Sequence, residues 1–236
     1  MNIALILSGG MGRRIGSDIP KQYIKVDDRT ILSYSLETLL SSESVDAVQI
    51  VADRDWKDTI LSEILSLKLD SNHKFRGFSS PGVTRQLSIY NGLKDIGSFA
   101  ESDDRVLIHD AARPCVTAEM VTKCFDAVSG EYEGAMPVLT MKDTVYRSMD
   151  GKMITGLLER ENIFAGQAPE AFIYGKYLEA NERLLPKKIY EINGSSEPAI
   201  KAGMHVAMIS GDEGNFKITT PEDFDRFVSI VAEKLR

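Results

Sequence analysis

Short apolar runs alternate with longer helical patterns along most of this chain, and that alternation constrains the fold more than any other feature. Ile3 to Leu7, Ala47 to Ala52, Lys74 to Phe78, Arg105 to His109, Gly134 to Val138 and His205 to Ile209 read as strands. Between them, Ile31 to Leu40, Asp55 to Leu67, Thr84 to Ile96 and Thr117 to Val128 read as helices, with Trp56, Ile60, Ile64 and Leu67 forming one apolar stripe at helical spacing. Strands joined through helices predict an α/β fold: a Rossmann-like, mostly parallel sheet covered by helices on both faces. With 236 residues, 43% of them hydrophobic, the chain can bury such a core as a single domain over 1–236.

Two segments stand out from the alternation. The last helix carries a clear start signal, because Thr220 can cap it, Pro221 suits its first position and Glu222 and Asp223 suit its first turn. Phe224, Phe227, Val231 and Leu235 would form its buried stripe. Residues 139 to 160 instead suggest a projecting β-arm, since Thr144 to Met149 and Lys152 to Leu158 flank Asp150-Gly151, a pair that favours a two-residue hairpin turn. A lone two-stranded arm is barely stable in water, so it should pack on a second copy of the protein or fold back on its own domain. A homodimer through the arm is the economical expectation.

The chain carries 28 Lys and Arg against 35 Asp and Glu, a formal charge of −7, which leaves no broad basic surface for a nucleic acid backbone. A polyanionic ligand must therefore meet locally clustered cations, and Arg14, Lys21, Arg85, Arg113, Arg160 and Lys217 are the candidates. The only cysteines, Cys115 and Cys124, lack zinc-site spacing and read as packing residues of a reduced protein. No segment approaches the apolar length that spans a bilayer, so a soluble, cytoplasmic protein without membrane or nucleic acid partners is expected.

Chemistry concentrates in loops that should share one edge of the sheet. The turn Ser8-Gly9-Gly10-Met11-Gly12-Arg13-Arg14 directly follows the first strand, and Pro20-Lys21-Gln22 lies within a loop's reach. Alone, this turn suits an ordinary strand-to-helix connection with solvated arginines. With Lys21 returning toward it, phosphate binding is the better reading. It matches no P-loop, and Ile15 stands where a dinucleotide fingerprint needs its third glycine. The loops Ser79 to Arg85 and Asp110-Ala111-Ala112-Arg113-Pro114 should face the same crevice. Asp110, at a strand terminus, suits a magnesium ion shared with ligand phosphates, or a helix cap, or an ion pair with Arg113. His109 reads as packed or hydrogen-bonded, since no triad partner is evident. Lys217 suits either a solvated edge residue or a phosphate ligand.

Together, Gly9-Gly10-Met11-Gly12-Arg13-Arg14, Pro20-Lys21-Gln22, Gly82-x-x-Arg85-x-x-Ser88, Ile108 to Pro114, Asp143-Thr144, Gln167-Ala168-Pro169 and Asn215 to Asp223 resemble the IspD-like cytidylyltransferases, in order and over almost the entire chain. The resemblance implies that Ser8, Gly9, Gly10, Met11 and Gly12 wrap the CTP triphosphate, while Arg14 and Lys21 hold its phosphates in the transition state. It sets Gly82, Arg85 and Ser88 around the cytosine, Ala111 near the ribose, Asp110 by Mg2+ and the incoming phosphate, and Lys217 on the reacting phosphoryl group. Arg113 and Asn193 fall in the pocket for a small phosphorylated alcohol, and Thr144 and Arg160 would reach that pocket in the partner subunit. The departures fall mostly there: Ala168 stands where the family commonly has threonine, and Asn193-Gly194 aligns with a Thr-Asp pair. Val83 also replaces an acidic residue common beside the base. The implied reaction is attack by a phosphate monoester, largely dianionic at neutral pH, on the α-phosphorus of CTP with release of pyrophosphate; it needs fixed cations rather than a strong base. The competing readings are a nucleotidyltransferase with another nucleotide or acceptor and a catalytically weak nucleotide-binding subunit.

Overall fold

The computed structural model describes residues 1–10, 19–70 and 73–234. Strand β1 (Asn2–Leu7) leads through a 3-10 turn at Lys21–Tyr23 and the small antiparallel pair β2 (Lys25–Val26) and β3 (Arg29–Thr30) into helix α1 (Ile31–Ser41). The alternation continues with β4 (Ala47–Val51), α2 (Lys57–Ser66), β5 (Phe75–Ser79), α3 (Arg85–Ile96), β6 (Arg105–Asp110), α4 (Ala118–Ala127) and β7 (Gly134–Thr140). A hairpin, β8 (Tyr146–Arg147) and β9 (Gly156–Leu157), precedes β10 (Phe164–Gly166), β11 (Glu170–Ile173), α5 (Tyr174–Glu182), α6 (Glu197–Lys201), β12 (Val206–Ser210) and α7 (Pro221–Lys234).

Among the described residues these strands form an eight-stranded sheet. From one edge it runs β5, β4, β1, β6, β11, β7, β12, and β10 continues along the edge of β7 that β11 occupies, because β12 already pairs with Val138 on the other side. β10 and β11 are antiparallel to their neighbours, and the other pairings in this sheet are parallel. The expected α/β architecture is therefore present, with two inserted antiparallel strands.

The central strand shows why this sequence folds this way. Ile3, Ala4, Leu5 and Ile6 are fully buried, as an inner parallel strand with helices on both faces requires. Side chains of alternate parity go to opposite layers. Ala4, Ile6, Val48, Ile50 and Leu107 pack with residues of α1, α2 and α4, whereas Ile3, Leu5, Val51, Val106 and Ile108 pack with α3 and α5. Threonines start three of the helices: Thr30, Thr84 and Thr117 accept from Ser33, Leu87 and Met120 amides at 3.3, 3.2 and 3.2 Å. At α7 the capping is reciprocal. Thr220 Oγ1 accepts from the Asp223 amide, and Asp223 Oδ2 accepts from the Thr219 and Thr220 amides at 2.9 Å each. Phe227 and Val231 are buried beneath it, Phe224 half-buried, and Leu235 lies outside the described residues.

A short hairpin stands where the arm was expected, and its turn differs from the expectation. Tyr146 pairs with Leu157 and Arg147 with Gly156, which leaves an eight-residue connection, 148–155, in place of a two-residue Asp150-Gly151 turn. Asp150 organises that connection differently, because its carboxylate accepts from the Lys152 and Met153 amides at 2.9 Å each. Among the described residues no helix is long and apolar enough to cross a membrane.

Candidate active site

The described part of the glycine-rich turn is held from beneath. Gln22 Nε2 donates to the carbonyls of both Ser8 and Gly10 at 2.7 Å, and the Tyr23 hydroxyl donates to the Ser8 carbonyl at 3.0 Å. Ser8 turns its own hydroxyl inward to Tyr23, at 2.8 Å, so its side chain braces the turn. The Tyr23 ring stacks on Trp56 with centroids 4.1 Å apart, and burial pushes its phenol up to about 12, which keeps it a donor. Gly9 is needed for a close approach, since a Cβ there would stand 2.4 Å from Pro81 Cβ in the loop after β5. Met11, Gly12, Arg13 and Arg14 lie outside the described residues.

Asp110, the last residue of β6, is the electrostatic centre. Its Oδ1 accepts from Arg85 Nε and Nη2 at 3.1 and 3.0 Å, its Oδ2 accepts from Lys217 Nζ at 2.9 Å, and Arg113 Nε stands 3.9 Å away. Burial alone would push the carboxyl up, but the Arg85, Lys217 and Arg113 charges outweigh it and hold Asp110 well below the usual carboxylate range. Asp110 thus forms ion pairs with several cations. Helix α4 is capped by Thr117 instead.

Lys217 is held in place by the segment leading to it. Gln167 grips the turn after β12 from both sides, accepting from the Asp212 amide at 3.0 Å and donating to the Asp212 carbonyl at 2.9 Å. Asn215, fully buried, donates to the Ala168 carbonyl at 2.8 Å and accepts at its own carbonyl from Arg113 Nη1 at 2.6 Å. The Ile218 amide then bonds the Ala112 carbonyl at 2.9 Å, and buried Lys21 donates from Nζ to the Ile218 carbonyl. The lysine ammoniums of residues 21 and 217 are thereby fixed on one short backbone stretch.

Two cavities meet at this cluster. The first, about 480 Å³, is lined by Gly9, Gly10, Lys21, Gly82, Ser88 and Ala111 together with Arg85, Asp110 and Lys217. The second, about 380 Å³, shares those last three residues and is also lined by Arg113, Ala168, Glu170, Asn193 and Ser195. Gly82 is packed so that a Cβ would stand 2.6 Å from Leu87, and its amide donates to Ser88 Oγ at 2.9 Å. Arg85 lines the first cavity with Gly82 and Ser88, and its guanidinium spans Asp110 and Ser195 Oγ, the latter at 2.7 Å, where the two cavities share residues. Thr144 and Arg160 line neither. Both are exposed on the arm, and Arg160 Nη1 donates to the Lys142 carbonyl at 2.9 Å. His109 is fully buried, with neither ring nitrogen hydrogen-bonded among the described residues. It is a packing residue, as read from the sequence.

Sequence reasoning passed over Glu170 and Ser195 as side chains of this site and named Gln167 only as part of a motif. The one local signal was an acidic residue directly after Pro169 and at the head of the apolar run Ala171-Phe172-Ile173.

A cleft of this kind at the carboxyl edge of an open, mostly parallel sheet is the architecture of a nucleotide-handling α/β protein. The family model for 2-C-methyl-D-erythritol 4-phosphate cytidylyltransferase, IspD, matches residues 2–233, and the chain belongs to that family. The 2-C-methyl-D-erythritol 4-phosphate cytidylyltransferase of Thermotoga neapolitana is 32% identical, over 95% of this chain and 94% of its own. The ribitol-5-phosphate cytidylyltransferase of Streptococcus agalactiae serotype V is 30% identical, over 98% and 95%. In fold, the chain superposes on the 4-diphosphocytidyl-2C-methyl-D-erythritol synthase of Anaerococcus prevotii with a TM-score of 0.81 at 24% identity, covering 98% of this chain and 96% of the other.

Proposed function

We propose that this protein is a CTP-dependent cytidylyltransferase that transfers CMP to a small phosphorylated polyol, of the methylerythritol 4-phosphate or ribitol 5-phosphate type, and releases pyrophosphate. The observation that carries this reading is the pair of cavities joined at Arg85, Asp110 and Lys217. In-line transfer between two phosphate compounds requires their reacting groups to meet at one cationic point, with the bulk of each substrate on opposite sides. The first cavity takes the nucleotide, its triphosphate along Gly9, Gly10 and Lys21. The second takes the alcohol, its phosphate against Arg113 and Lys217. Val83, apolar and 85% exposed, offers the cytosine no hydrogen bond from its side chain, so base contacts fall to backbone and Ser88.

The donor set fits a magnesium ion. Among the described residues no cluster of three or more metal-ligating side chains exists, but magnesium shared with phosphates needs only one or two carboxylates, and Asp110 is kept ionised to serve as one. When bound there, the ion would neutralise charge on the triphosphate. The remaining work belongs to the chain: Lys21 and Lys217 offset repulsion between the two anions, and Arg85 and Arg113 keep the Asp110 carboxylate charged and oriented. A second copy completes the assembly in this reading. The arm exposes Tyr146 at 56%, Met149 at 83% and Leu157 at 67%, apolar area that a partner would cover.

Lys21→Ala tests the proposal directly. Pyrophosphate release from CTP should fall by at least about 100-fold while the protein stays folded, as is common when one preorganised charge is removed from a transition state. Near-normal release would remove Lys21 from the mechanism.

A further inference from the structure

The three consecutive side chains of the 3-10 turn Lys21–Tyr23 each take hold of backbone beside the first cavity. Lys21 donates to the Ile218 carbonyl, Gln22 to the carbonyls of Ser8 and Gly10, and Tyr23 to the Ser8 carbonyl. Lys21 has a place in the reaction proposed above. Gln22, 3% exposed and part of the cavity lining, has none so far. The orientation of its amide is unambiguous, because both partners at 2.7 Å are acceptors and only the NH2 end can serve two carbonyls at once. With the Tyr23 hydroxyl on the Ser8 carbonyl as well, at 3.0 Å, both lone pairs of that oxygen are taken. The amides of Gly9 and Gly10, by contrast, donate to nothing among the described residues, and both glycines line the cavity. The turn is therefore polarised: its carbonyls are tied down on Gln22 and its amides are left for a ligand. Unpaired amides attract a phosphate chain, whereas a free carbonyl oxygen beside it would repel it.

We propose that Gln22 is a positioning residue of the nucleotide cavity: by holding the Ser8 and Gly10 carbonyls it fixes the glycine turn with its amides available to the triphosphate, and so sets affinity for the phosphate chain rather than for the nucleoside. The assignment rests on the function proposed above, which puts the triphosphate along Gly9, Gly10 and Lys21. A neutral donor is required at this position. A carboxylate in its place has no hydrogen to give, repels both carbonyl oxygens and adds charge of the ligand's own sign. An alkyl side chain leaves the Gly10 carbonyl to find another donor or to turn.

The test measures the calorimetric Kd of CTP and of CMP, each with Mg2+, for wild type, Gln22→Leu and Gln22→Glu. Gln22→Leu should raise the Kd of CTP by at least about 10-fold and Gln22→Glu by more, while the Kd of CMP moves by less than about 3-fold in both. The acceptor KM in pyrophosphate release at saturating CTP, with whichever of ribitol 5-phosphate and 2-C-methyl-D-erythritol 4-phosphate turns over better, should stay within about 3-fold of wild type. A residue that only supports the fold would weaken every ligand together. If the buried charge unfolds Gln22→Glu, then Gln22→Leu, close in size and uncharged, carries the test. An unchanged Kd for CTP, equal loss for CTP and CMP, or loss of the folded state in both variants overturns the assignment and leaves the enzyme proposal standing. Failure of wild type to bind CTP overturns the enzyme proposal, and this one with it.

Discussion

His109 and Asp110 are adjacent in sequence and opposite in physics. Burial lowers the His109 pKa to about 4, outweighing the neighbouring Asp110 carboxylate that favours the cation. Its ordinary value in an unfolded chain is about 6.5, so the unfolded state binds a proton that the folded state refuses as pH falls between these values. Stability should therefore decline toward acid with a slope of about 1.4 kcal/mol per pH unit over that window, roughly 3 kcal/mol in all. Denaturant titrations at stepped pH should show this slope in wild type and lose it in His109→Leu. Asp110 works in a lower window, because its folded pKa is depressed: its contribution is present above about pH 4 and is lost only below. Asp110→Asn leaves Arg85, Arg113 and Lys217 gathered without a counter-charge. We expect a loss of about 2 kcal/mol at neutral pH, less than for a fully buried pair because Arg85 and Lys217 keep about a third of their side chains in solvent, together with at least a 100-fold fall in turnover. A variant with wild-type stability and turnover would refute the central place given to this carboxylate.

At the scale of elements, the site is a meeting of loops that follow β1, β5, β6 and β12, and their contacts are as tight as those of a core. The sharpest is Gly9 against Pro81, where backbone approaches ring with no room for a methyl group. Gly9→Ala should push the β1 and β5 loops apart, cost about 1–3 kcal/mol as overpacking does, and raise the KM for CTP by about 10-fold with a smaller effect on the acceptor. Calorimetry and initial rates measure both effects, and an unchanged CTP KM would detach this contact from nucleotide binding. The same scale explains what was legible beforehand. The strands β1, β4 and β6 announced themselves through runs such as Ile3-Ala4-Leu5-Ile6, and α7 through Thr220-Pro221-Glu222-Asp223, because local periodicity and capping chemistry decide those elements. Strands β10 and β11 did not, nor did α5 and α6. Phe164-Ala165-Gly166 and Glu170-Ala171-Phe172-Ile173 are too short to show a period, and become strands only because β7 and β6 offer free edges to pair with. The width of the arm's turn was likewise decided by the Asp150 carboxylate catching nearby amides, which overrides the preference of an Asp-Gly pair for the tightest hairpin.

For the whole molecule, the arm carries the remaining prediction. Its strands pair only with each other in the described chain, and Thr144 and Arg160 stand on it away from both cavities. If a second copy receives the arm at its acceptor cavity, as we propose, then Arg160→Ala and Lys21→Ala chains, each inactive alone, should regain activity when mixed, since one site of the hybrid holds neither defect. Subunit exchange shown by mass-tagged chains with no recovery of activity would sever the arm from catalysis.

The sequence by itself determined the α/β alternation and, through its motifs, the family and the loops that meet at the cleft, because apolar periodicity and motif spacing are local properties. Only the tertiary structure decided that Arg85 bridges Asp110 and Ser195, and that Lys21 and Lys217 hang on the same backbone turn. It also decided that Glu170 lines the second cavity with one oxygen on the Ser195 hydroxyl. Those outcomes depend on partners that are 25, 107, 110 and 197 residues apart in the chain, and no local propensity encodes a distance that exists only after the sheet has closed its register.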